Sequence, residues 1–111
     1  MDAAENDGAS PLFIASEKGH LEVVCELLAR GAAVDTATNG GATPLYVASQ
    51  MGHFAVVRGL LAWGAAVNAA RNSGATPLLI ASREGHLEVV LELLARGELP
   101  GVASLSRATL Y

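Results

Sequence analysis

Apolar positions recur along the chain with a helical period, in short runs cut by glycine. Over residues 21–30, Leu21, Val24 and Leu28 share one face, with Val23 and Leu27 beside them. Glu22, Glu26 and Arg30 fall opposite. Spacings of three and four predict an amphipathic helix rather than a strand. Glu26 and Arg30 stand four apart in the favourable order for a weak surface pair, and Glu92 with Arg96 repeats it. A shorter helix precedes this one and carries Leu12, Ile14 and Ala15. Ser10 can cap its free N–H groups, and Pro11 takes the first helical position, where a missing N–H costs nothing. Gly19 stops the first helix and Gly31 the second.

The same pattern returns twice. Pro11, Pro44 and Pro77 are 33 residues apart, as are His20, His53 and His86, and Gly31, Gly64 and Gly97. Residues 8–31 and 74–97 are identical at 19 of 24 positions, and residues 8–34 and 41–67 at 17 of 27. The chain therefore reads as copies of one unit: residues 8–40, 41–73 and an incomplete 74–97. An acidic segment, 1–7, precedes them and an irregular tail, 98–111, follows. Turn-rich stretches at 36–42 and 69–75 suit extended fingers or hairpins between units. One such unit cannot bury its apolar faces alone, whereas about three stacked units can. The expected architecture is all-α: a solenoid of three stacked helix–turn–helix units with short finger loops.

Composition narrows the chemistry. The 111 residues carry 7 Lys+Arg against 11 Asp+Glu, a net charge of −4 that argues against a nucleic-acid or anionic-membrane binder. Aromatic residues make up 5% and alanine supplies 21 positions, so small side chains fill an interior of closely stacked helices. No apolar run approaches the roughly 20 residues that cross a bilayer, and Met1 to Asp7 is acidic and polar, unlike a secretory signal. These features predict a soluble protein of the cytoplasm or nucleus. The single cysteine, Cys25, excludes an internal disulfide framework and suits a reducing compartment.

Little else points to catalysis or to a cofactor. Equivalent histidines in stacked units would lie about 8–10 Å apart, a helix-packing distance. Zinc–nitrogen bonds of about 2.1 Å need ligands far closer, so no metal is expected. The histidines read instead as structural groups bonding backbone after a glycine turn. Cys25 occupies the slot of Arg58 and Leu91 and has no base beside it, so no nucleophile is assigned. The glycines of Gly40-Gly41 and Gly74 lack a following Lys-Ser/Thr, which argues against nucleotide binding. No enzyme activity, cofactor or small-molecule substrate is predicted. Trp63 stands where the sister units have Arg30 and Arg96; it reads as packing over Gly59, or as a contact patch. Gly59 itself, in a helix interior, should soften the middle unit. Ala108 to Tyr111 reads as an unstructured tail.

Over residues 8–97 the units resemble the ankyrin repeat. The residues that carry the resemblance are Thr43-Pro44-Leu45, Gly52-His53, Val56-Val57, Leu60-Leu61, Gly64-Ala65 and Val67-Asn68. Three departures stand out. Phe13, Tyr46 and Leu79 replace the motif histidine after leucine; Ala33 and Ala66 replace its aspartate; and the third unit breaks down at Glu98 to Gly101. The first of these makes a bulky stripe, read as helix-to-finger packing or as an anchor for a partner.

The resemblance implies recognition of another protein, of unknown identity, through the concave face of fingers and first helices. Carried over by position, the partner-binding candidates are Ser16, Glu17, Thr38, Asn39, Tyr46, Ser49, Gln50, Arg71, Asn72, Ser82 and Arg83. Gly40, Ala42, Ser73 and Ala75 complete the fingers. These surface positions differ between units more than the core does. The resemblance also implies two alternatives: a structural segment of a longer array, or a substrate of an oxygen-dependent asparaginyl hydroxylase. In the latter, Asn68 is the modification candidate, with Leu60 eight residues before it.

Overall fold

The computed structural model describes residues 7–97. Of the expected tails, 1–7 and 98–111, all but Asp7 lie outside the described residues, including the break at Glu98 to Gly101 and the terminal Ala108 to Tyr111. Among the described residues, six helices follow in order: α1 Pro11–Lys18, α2 Leu21–Ala29, α3 Pro44–Met51, α4 Phe54–Ala62, α5 Pro77–Glu84 and α6 Leu87–Ala95. No strand occurs among the described residues.

Local chemistry sets the ends of the first helix in each unit. The hydroxyls of Ser10, Thr43 and Thr76 accept from the N–H groups of Phe13, Tyr46 and Leu79, each at 3.1 Å. Each cap satisfies one of the N–H groups that a helix start leaves free. Proline occupies the first turn in all three. Gly19, Gly52 and Gly85 close these helices in the left-handed conformation, at φ 76°, 75° and 77°. The chain then reverses at once into the second helix. His20, His53 and His86 precede α2, α4 and α6 without a side-chain cap bond to them.

Stacking proceeds in two layers. First helices pack on first helices, α1 on α3 and α3 on α5, while α2 packs on α4 and α4 on α6. One continuous core runs between the layers, with Leu12, Val24, Leu45, Val56, Leu60, Ala81 and Leu93 all buried. Ala15, Ala48 and Ala81 hold the first helices close, in keeping with the alanine-rich composition. The pairs Glu26–Arg30 and Glu92–Arg96 form at 2.9 and 3.0 Å on the outer helices. Exposed pairs of this kind contribute about 0.3–0.5 kcal/mol.

The middle unit departs from the expected packing at Gly59. A Cβ built there would meet Cδ1 of Leu21 at 3.4 Å and no other neighbour, so it is Leu21 that covers Gly59, not Trp63. Trp63 is half exposed at the end of α4. Because Gly59 sits inside α4 and outside the positive-φ set, Ala fits without strain. Gly59→Ala should stabilise the fold by up to about 1 kcal/mol. For a domain of this size that raises the melting temperature by about 4–8 °C, read by circular dichroism. A fall in melting temperature would show that Leu21 cannot yield the space.

Candidate functional site

Each finger is a tight loop closed on itself. Thr38 N–H donates to the Ala42 carbonyl at 2.9 Å, and Arg71 N–H to the Ala75 carbonyl at 2.8 Å. Gly41 and Gly74 N–H groups bond back to Thr38 and Arg71 at 2.9 and 2.7 Å. Successive loops are then tied together. Asn72 N–H donates to the Gly40 carbonyl at 2.8 Å, its Nδ2 donates to the Asn39 carbonyl at 3.0 Å, and Asn39 N–H bonds Asp7 at 2.9 Å. The fingers thus form a bonded edge beside the first helices, although they are too short to build a strand ladder.

Two further links cross between units. His53 Nε2 donates to the Glu17 carbonyl at 2.9 Å, and His86 Nε2 donates to the Gln50 carbonyl at 3.0 Å. A carbonyl can only accept, so Nε2 carries the proton in both rings. Each ring also lies against the glycine that ends the preceding first helix: a Cβ on Gly19 or Gly52 would fall 2.8 or 2.6 Å from it. The Asp35 carboxylate accepts from Ala66 N–H at 3.1 and 3.2 Å, a further joint between the first two units. These residues hold the array in register. Among the described residues, no group of three or more His, Cys, Asp or Glu is placed to hold a metal ion.

Fingers and first helices together enclose a recess of about 250 Å³. Phe13, Ala42, Tyr46 and Val47 give it an apolar lining; Asp7, Glu17, Gln50 and Arg71 supply charge and hydrogen-bonding groups. Tyr46 lies beneath, packed with Ala42 of its own unit's finger and Ile80 of the next unit. The Arg71 guanidinium sits over the Tyr46 ring at 5.3 Å from the centroid.

The predicted partner-binding residues divide in two against this geometry. Glu17, Thr38, Gln50 and Arg71 come together around the recess and are half-buried; Asn39 and Asn72 are exposed at the finger tips. Ser82 and Arg83 are exposed on α5. Ser16, Ser49 and Tyr46 are not on the open face. Both serines are fully buried, their hydroxyls without a hydrogen-bond partner, and Tyr46 is 4% exposed. The cause is stacking: Ser82 holds the same slot in the last described unit and stays exposed, whereas α1 and α3 each receive a following helix. The bulky stripe is likewise uneven, with Phe13 half-buried, Tyr46 buried and Leu79 45% exposed.

Thr38 contributes less to the surface than its position suggests, because its hydroxyl accepts from Ala42 N–H at 3.2 Å. The joint that Asp35 makes with the next unit is not legible in local spacing; the sequence shows only an Asp or Asn recurring at 35 and 68. Asn68 is exposed, but Leu60 is fully buried, so the folded surface does not present the two residues together. Cys25, Arg58 and Leu91 are all exposed on the second helices. No helix among the described residues is long and apolar enough to cross a membrane.

Comparison with known proteins agrees with the repeat. A family model described as ankyrin repeats in three copies matches residues 1–71, and the ankyrin repeat model matches residues 73–104. No curated protein matches the chain.

Proposed function

Since the chain belongs to the ankyrin repeat family, whose members are generally protein–protein interaction modules, we propose that it recognises another protein through its finger-and-first-helix face, without catalysis. One observation carries this reading. The recess is built jointly by two fingers and two first helices, and its accessible groups vary between units over a shared core. Glu17, Gln50 and Arg83 occupy one slot in the three units; Thr38 and Arg71 occupy another. A rigid scaffold with a varied rim binds without ordering itself first, which lowers the entropic cost of association.

A second reading draws on Gly85. Gly19 and Gly52 each carry the histidine of the following unit, whereas a Cβ on Gly85 would meet nothing within 4 Å among the described residues. Leu79, Leu87 and Leu91 of that unit are 45%, 67% and 55% exposed. This surface suits another unit of the same kind and favours a role as a segment of a longer array.

The test is quantitative affinity capture from cell lysate with three folded baits. The wild-type chain is compared with a face variant, Gln50→Ala, Asn72→Ala and Arg83→Ala, and an outer variant, Cys25→Ser, Arg58→Ala and Leu91→Ala. The expected result is a protein retained by the wild-type and outer baits and lost from the face variant. Loss from the outer variant alone would place recognition on the second helices and refute the reading.

A further inference from the structure

The recess contains a buried donor whose hydrogen-bonding capacity is left unused. Arg71 presents five N–H donors and no acceptor. Its Nε is buried without a hydrogen-bond partner, and no ion pair holds the guanidinium among the described residues. The side chain is nevertheless fixed in place. Its charged end lies over the Tyr46 ring, a favourable cation–π arrangement. On another side lies Gly40, where a Cβ would fall 2.9 Å from Arg71 Nη2, so the absence of a side chain there leaves the guanidinium its space. Arg71 is therefore positioned at the recess by its neighbours and not by an internal acid.

Resting on the protein-recognition reading above, we infer that Arg71 is the anchor for an acidic side chain of the partner. A carboxylate matches the planar fork of a guanidinium and takes two of its donors at once. The size of the recess favours side chains of a macromolecule. At about 250 Å³ and open to solvent, it is smaller than the roughly 300–1,000 Å³ clefts that enclose small ligands. Its remaining charges narrow the partner further. Asp7 and Glu17 line the same recess, so a run of acids, or a phosphate with its double charge, meets two carboxylates as well as one arginine. A single Asp or Glu beside a Lys or Arg satisfies all three. The partner segment is thus of mixed charge, with apolar atoms against Phe13 and Val47.

Random dodecapeptides displayed on phage and selected on the full chain provide the probe. The expected enrichment is one Asp or Glu position with a basic residue nearby, and no polyacidic sequences. A synthetic peptide of that sequence should lose at least about tenfold in affinity with Arg71→Ala, and lose affinity with Gly40→Ala, which keeps the charge but displaces it. Reversing both charges, with Arg71→Glu and a lysine at the acidic peptide position, should restore binding; a purely structural role for Arg71 would not. Circular dichroism confirms that each variant is folded. Peptides without an acid, or peptides that tolerate Arg71→Ala yet are lost with Gln50→Ala and Arg83→Ala, would overturn the inference and leave the recognition face standing. Peptides indifferent to all of these substitutions would overturn both. Enrichment of none over an empty support would overturn the inference, leaving the face to the capture comparison.

Discussion

Gly52→Ala is expected to cost about 3 kcal/mol of folding stability, and Gly85→Ala about 1 kcal/mol, although both glycines have nearly the same backbone conformation. Their φ angles are 75° and 77°, where an L-residue costs about 1–2 kcal/mol. The difference lies in what the new methyl group meets. At Gly52 it falls 2.6 Å from Cε1 and Nδ1 of the His86 ring; at Gly85 it meets nothing within 4 Å among the described residues. The ring cannot simply withdraw, because its Nε2 donates to the Gln50 carbonyl at 3.0 Å. Moving it breaks a bond between units, about 1 kcal/mol, and opens packing around it. Gly19→Ala should behave like Gly52→Ala, since its Cβ would fall 2.8 Å from His53. Urea unfolding followed by circular dichroism measures the comparison through the midpoint, with the slope unchanged. Equal losses at Gly52 and Gly85 would mean that the glycine–histidine seat contributes nothing between units.

Leu60→Ala should destabilise the fold by about 3–4 kcal/mol, in the middle of the range for buried leucines. Leu60 is fully buried in α4, which packs against both α2 and α6. The cavity therefore opens in a unit that has a neighbour on each side, and stacked arrays depend on such interfaces for much of their stability. Leu27 holds the equivalent place in the first unit and is half-buried, so Leu27→Ala should cost closer to 2 kcal/mol. Against a total stability of about 5–15 kcal/mol, the Leu60 loss is a substantial fraction of what holds the fold. Thermal and urea unfolding of the two variants tests the order. A larger loss at Leu27 would contradict the shared core described between the layers.

The features legible in the sequence are those fixed by local geometry. A hydroxyl followed by proline marked each first helix, glycine marked each stop, and the period in Leu21, Val24 and Leu28 marked the outer helix; all three recur in the structure. The histidines read as backbone-bonding groups, and His53 and His86 are. That the backbone belongs to the preceding unit, at Glu17 and Gln50, is a contact across 36 residues that no local spacing reveals. The serines show the converse. Ser16 and Ser49 sit beside variable positions and carry a polar group, so they read as surface, yet a small side chain is what a closely packed neighbouring helix admits. Tyr46 belongs to the same class of miss, since its burial depends on Ile80 of the next unit. Trp63 and Gly59 are four apart, a spacing that pairs side chains on a helix, yet the space above Gly59 is taken by Leu21 from the first unit. The recess was legible in outline, through Glu17, Gln50 and Arg71, but the seating of Arg71 between Tyr46 and Gly40 requires two fingers and a helix at once.

The central claim is that one face of this stack, fingers and first helices, recognises a protein. Amide hydrogen exchange of the chain, alone and with the partner recovered by the capture experiment, tests it most directly. Binding slows exchange where it suppresses local opening or covers the backbone. The predicted result is new protection in residues 38–42 and 71–75 and in α1, α3 and α5, with the second helices unchanged. Protection confined to α2, α4 and α6 would contradict the account.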